Sequence, residues 1–143
     1  MEKVDIYKVT YRIDVPHLKV NDIEQVAYTP FNTIDTIVDV LKRRFTDNVK
    51  IKEDSIRVDR TNIRNVYFPT SVKHGEHSVL EVVKFVSTKT NALGICDDKV
   101  LFRVLARSFS DAYGIVNMNE ELESLLPANK NYRTKSSIVC VLI

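Results

Sequence analysis

The chain has 143 residues, enough for one domain with a sizeable core or two small halves that share one. Its hydrophobic fraction of 44% is ordinary for a globular protein, and a net charge of +2 is too mild to point to nucleic acid or a membrane surface by itself. Gly75, Gly94 and Gly114 lie far apart. That excludes a phosphate-cradling loop and a dinucleotide fingerprint, which need glycine where the backbone approaches a ligand closely.

The first strand is an amphipathic one: Tyr7, Val9, Tyr11, Ile13 and Val15 alternate with Lys8, Thr10, Arg12 and Asp14 until Pro16 ends it. His17 to Asp22 reads as a polar loop, and Gln25 to Tyr28 as a short second strand. Pro30 and then Asn32 or Thr33 mark a helix start. The helix runs to Phe45, with Ile34, Ile37, Val38, Leu41 and Phe45 as its apolar stripe and Lys42, Arg43 and Arg44 in its last turn. Val49 and Ile51, then Ile56 and Val58, read as a strand or hairpin with a register break near Asp54 and Ser55. From Asn62 to Ser78 the periodicity is lost, which predicts a connection partly packed through Val66, Tyr67 and Phe68.

Val79 to Val86 is the next strand, and Thr88 to Asp98 a turn region. From Lys99 to Leu126 a strand runs straight into a helix. Val100, Phe102, Val104 and Ala106 alternate with Lys99, Arg103 and Arg107; then Phe109, Ala112, Tyr113 and Val116 fall on one helix face. Ser108 is expected to cap that helix by accepting from the amide of Asp111, with Asp111 reaching back to the amide of Ser108. The spacing predicts a break near Met118, a restart capped by Asn119, and a stop at Pro127. Ser137 to Ile143 is apolar on both faces, as in a central, covered strand.

The two halves match in order. The expected fold is α+β: tandem ββαβ units with antiparallel sheets and one main helix per unit. Residues 1–62 form the first half and 79–143 the second, joined by a connector at 63–78 within a single compact domain. The expected core holds Val9, Tyr11, Ile13, Ile37, Val38, Leu41, Val83, Phe102, Val104, Ala112, Val116 and Cys140.

The stretch Val104-Leu105-Ala106-Arg107-Ser108-Phe109-Ser110-Asp111-Ala112 resembles a strand-to-helix signature of an uncharacterised protein family of Bacteroidetes and their bacteriophages. That family is also strand-rich and internally duplicated. The first half departs from the signature, with Pro30 and Phe31 where it has Ser and Phe. The resemblance implies no activity, only a phage or bacterial accessory protein.

Residues able to do chemistry are few. His74, Glu76 and His77 are the densest set of metal-ligand types, but zinc needs three or four converging donors, and His17, Cys96, Asp97 and Asp98 would have to be brought in by folding. A polar exposed loop without cofactor is the expectation. Asp97 and Asp98 beside Cys96 would raise its thiol pKa, the wrong direction for a nucleophile. There is no Gly-x-Ser-x-Gly elbow and no His-Glu-x-x-His, so no catalytic residue is assigned. Cys140-Val141-Leu142-Ile143 has the outline of a prenylation box, yet it continues an apolar strand and is expected to be buried.

Lys42, Arg43, Arg44, Arg57, Arg60 and Arg64 would make one basic face if the strand after the first helix lay beside that helix's end. Asp47, Glu53, Asp54 and Asp59 dilute such a face. Of the rings that would stack bases, Tyr7, Tyr11, Tyr67 and Phe68, the first two share a face with Val9 and Ile13 and so belong to the core. No apolar run approaches the roughly 20 residues that span a bilayer, and the N-terminus is charged from the start, so neither membrane nor secretory leader is expected. The location expected is the cytoplasm of a bacterial or phage-infected cell, or a virion. The functional expectation is a non-enzymatic assembly or interaction protein, homo-oligomeric, pairing with itself or other proteins through sheet edges. A nucleic-acid-binding accessory protein is the alternative, and a small-ligand or metal-binding protein the second.

Overall fold

The structure, a computed structural model, describes residues 1–69, 73–85, 98–128 and 131–143. The fold is mixed α+β. In chain order it comprises β1 (Glu2–Val4), β2 (Tyr7–Val15), a single 3-10 turn (Pro16–Leu18), β3 (Val20–Thr29), α1 (Ile34–Arg44), β4 (Lys50–Arg60), β5 (Val66–Phe68), β6 (Glu76–Phe85), β7 (Asp98–Ala106), α2 (Phe109–Asn117), α3 (Glu120–Ser124) and β8 (Arg133–Leu142). The chain divides into two compact units. The first is Val4–Arg64, Lys73–Glu76 and Cys140–Ile143; the second is Met1–Lys3, Asn65–Val72 and His77–Val139.

In the first unit the strand order is β3-β2-β4, with the end of β8 beside β3. β2 is antiparallel to both neighbours. Its alternation turns Val9, Tyr11 and Ile13 to one face, where Ile37, Val40 and Leu41 of α1 cover them together with Ala27 and Leu142. The Tyr11 and Phe45 rings meet edge to face, 6.2 Å between centroids. The register break of β4 falls where Asp54 and Ser55 suggest: Thr10 pairs with Arg57, yet Arg12 pairs with Lys52. The Ser55 hydroxyl fills the gap, accepting from the Arg12 amide at 2.9 Å and donating to the Lys52 carbonyl at 2.6 Å.

β3 is longer than the expected Gln25–Tyr28. The loop shrinks to the Pro16–Leu18 turn, and β2 offers ladder partners as far as Val15 opposite Val20, with a register shift between Ile13 and Val15. Asp22 takes a left-handed φ of 60° there. Its amide donates to the Asp14 carboxylate at 2.8 Å, and its own carboxylate takes Lys52 Nζ at 2.7 Å. That hydrogen bond and the charge of Lys52 hold the Asp22 carboxyl below its usual range.

The strand order of the second unit is β1-β5-β7-β6-β8. β6 and β7 pair antiparallel from Ser78 opposite Ala106 to Phe85 opposite Asp98, with a shift between Val82 and Val83. Tyr67, Leu80, Val82, Phe102 and Val104 form a core with Ala112 and Val116 of α2 and Leu122 of α3. The two helices break at Met118 and restart at Asn119, whose side chain accepts from the Leu122 amide at 3.1 Å. This is the break and restart that the spacing predicts, with α2 the longer helix and α3 a five-residue continuation. Ser108 accepts from the Asp111 amide at 3.1 Å, but Asp111 takes the amide of Arg107, at 2.9 Å, rather than that of Ser108. With Ser108 extended at φ −156°, the preceding N–H is the one that faces the carboxylate.

Further expectations need correction. The sheets are not purely antiparallel: β5 runs parallel to β7 and β8 parallel to β3, pairings between strands distant in sequence that local alternation does not encode. The connector at 63–78 holds β5, which Pro69 stops because it brings no N–H to the ladder, and the first residues of β6. Phe109 and Tyr113 are 47% and 39% exposed. The small side chains of Ala106 and Ala112, both fully buried, let α2 approach closely on its Ala112–Val116 side and turn the two rings outward. Tyr113 rests on Tyr132 instead, at 5.9 Å. Finally, Cys140 is exposed, not core: its φ of 63° interrupts the alternation of β8.

Candidate functional site

The six candidate cations do not form one face. Lys42, Arg43 and Arg44 end α1, and Lys42 reaches Glu53 at 3.4 Å while Arg44 reaches Glu76 at 3.7 Å. Arg57 pairs with Asp59 on its own strand at 3.3 Å. β4 begins opposite Asp14 and ends with Arg60 opposite Tyr7, a run of roughly 24 Å along β2 at the usual strand rise. Arg60 and Arg64 therefore lie at the end of β4 away from Lys50. Arg57, one position from the core-facing Val58, projects from the face opposite α1. Among the described residues Arg43, Arg60 and Arg64 have no ion-pair partner.

His74 and Glu76 are exposed, whereas His77 is buried in β6, and the pleat turns Glu76 and His77 to opposite faces. Glu76 is engaged by Arg44. Among the described residues no three of His, Cys, Asp and Glu stand close enough to hold a metal ion. His17 lies exposed in the 3-10 turn. Cys96 and Asp97 fall outside the described residues, and Asp98 is described only through its backbone in β7. Val141, Leu142 and Ile143 are buried, as expected of a strand end. No helix among the described residues is long and apolar enough to cross a membrane.

The rings proposed for base stacking are largely enclosed. Tyr11 is buried, and Tyr67 packs edge to face on Phe102 at 6.0 Å with the Lys3 ammonium 5.1 Å from its centroid. Burial pushes the Tyr11 phenol up, and the nearby charge of Arg44 offsets this in part. The folded state thus resists ionisation of Tyr11. Its contribution is complete below 10.0, the ordinary phenol value, and is lost as pH rises through the higher folded value. Tyr11→Phe is expected to flatten the alkaline fall in stability, measured as the urea midpoint against pH. An unchanged alkaline limb would refute the assignment.

Two features escaped the sequence reading. The first is an ion network in the second unit. Glu81, 7% exposed amid apolar neighbours in β6, takes Arg103 Nε at 3.0 Å directly across on β7, with Lys135 Nζ of β8 at 4.0 Å. A lone Glu within Val79-Leu80-Glu81-Val82-Val83 was the available signal. The second is which sheet edge is free among the described residues: that of β4, the terminal strand of the first unit. The amide of Ile6 donates to Ile63 at 2.9 Å, and that of Arg12 to Ser55 Oγ at 2.9 Å. Main-chain groups alternate sides along a strand, so the even-numbered residues of β2 face β4. Opposite them, Arg57 and Asp59 turn their main chain to β2, which leaves that of Ile56, Val58 and Arg60 directed outward. The other terminal strand, β1, has three residues.

No protein-family model, curated protein or solved structure matches this chain.

Proposed function

We propose that the protein is a non-enzymatic assembly or interaction protein that pairs with other chains, its own copies included, through a strand edge. The observation that carries this reading is β4: eleven residues at the end of a strand order, with the outward amides and carbonyls of Ile56, Val58 and Arg60 unpartnered among the described residues. An edge of this kind adds a strand from another molecule unless it is blocked. A nucleic-acid role has less support, since Lys42, Arg44 and Arg57 are matched by acids and the cations are dispersed along β4. A role as a phage or bacterial accessory protein rests on the resemblance at Val104–Ala112. We also propose that the two units descend from a tandem ββαβ duplication. In support, β3-β2-β4 and β7-β6-β8 place corresponding strands in the same order, with α1 and α2 each following the second strand of its set.

Sedimentation velocity over a wide concentration range tests the assembly reading. A rising weight-average mass is expected, and a monomer at every concentration would overturn it.

A further inference from the structure

We infer that the partner of β4 is β4 of a second copy, antiparallel about a two-fold axis through Val58. This rests on the assembly reading above and specifies its register. The outward main-chain groups of Ile56, Val58 and Arg60 must face one another across the axis, which allows only registers centred on a residue. Centred on Val58, Arg57 stands opposite Asp59 of the other copy and Asp59 opposite its Arg57. The Arg57 and Asp59 side chains already meet within one strand, 71% and 50% exposed, so the junction closes a ring of four alternating charges. Ile56 faces Arg60 of the other copy, and Val58 faces Val58.

The neighbouring registers fail. A centre on Arg57 sets guanidinium against guanidinium, and a centre on Asp59 carboxylate against carboxylate, both unfavourable directly across a pair of strands. A centre on Ile56 sets Arg57 against Ser55 and Val58 against Asp54, inside the register break, and so forms no run of regular pairs. A centre on Arg60 sets that residue against itself. The break at Asp54 and Ser55 limits regular pairing to the stretch from Ile56 to Arg60. The same charges that discourage general edge pairing thus single out one self-complementary register.

The test compares wild type, Arg57→Asp and the double variant Arg57→Asp with Asp59→Arg by sedimentation equilibrium at low salt. Circular dichroism confirms that each is folded. The single variant converts two attractive pairs into repulsive ones and is expected to weaken self-association by about thirty-fold. The double variant restores opposite charges across the axis and is expected to recover it. Wild type that self-associates while Arg57→Asp does so equally well, or a double variant that stays as weak as the single one, would overturn the register and leave assembly standing. Monomeric wild type would overturn both.

Discussion

Leu41→Ala is expected to lower the free energy of unfolding by about 3 kcal/mol, within the range for emptying a buried leucine site. Leu41 is 1% exposed and lies in the core formed by α1 with β2, alongside Val9, Tyr11 and Ile13. Truncation loses both the transfer of its side chain from water and the contacts around the space it leaves. The helix itself is retained, because alanine has the higher helix propensity. Urea denaturation with an unchanged slope and a lower midpoint is the expected signature. Ile34→Ala, at the exposed start of the same helix, is the control and should cost under about 1 kcal/mol. Equal losses for the two variants would mean that α1 does not bury the face described.

Arg103→Ala should be more damaging than Glu81→Ala, although both break the same 3.0 Å contact. Removing the guanidinium leaves a nearly buried carboxylate with Lys135, at 4.0 Å, as the remaining cation beside it among the described residues. Losing one member of an enclosed pair costs about 3–5 kcal/mol when nothing replaces it, and the residual Lys135 interaction places this case near the lower end. Removing the carboxylate instead leaves an arginine whose side chain retains 27% exposure and whose long stem can carry its charge to water. Replacing both residues by apolar ones of similar size should cost less than Arg103→Ala alone. Chemical denaturation of the three variants checks the order, and Glu81→Ala emerging as the most destabilised would contradict it.

The parts legible in the sequence were those governed by local periodicity. β2 and α1 each show one unbroken period, of two and of 3.6 residues, and the caps at Ser108 and Asn119 use side chains that satisfy amides three residues on. What escaped depends on partners far along the chain. The early part of β3 is polar because its side chains are exposed, so Val20 to Glu24 looks like loop until β2 supplies a ladder. The parallel pairing of Tyr28 with Val141 has no local trace. Cys140 sits among apolar residues and reads as buried, but a single positive φ reverses that expectation. The basic residues are close in sequence, yet an extended strand carries Arg57, Arg60 and Arg64 away from the α1 terminus.

β8 carries a consequence for the route by which the molecule is made. Its final residues, from Cys140, belong to the first unit, where Leu142 fills the core beneath α1 and accepts a 2.8 Å bond from Thr29, 113 positions earlier. During synthesis, β2, β3, α1 and β4 precede β8 and wait with the Leu142 position of their core unfilled. Only after the intervening stretch has emerged can Leu142 dock, and closing so long a loop costs entropy before any contact repays it. The core under α1 is thus completed only once β8 has emerged, and until then it stays open to proteases and chaperones.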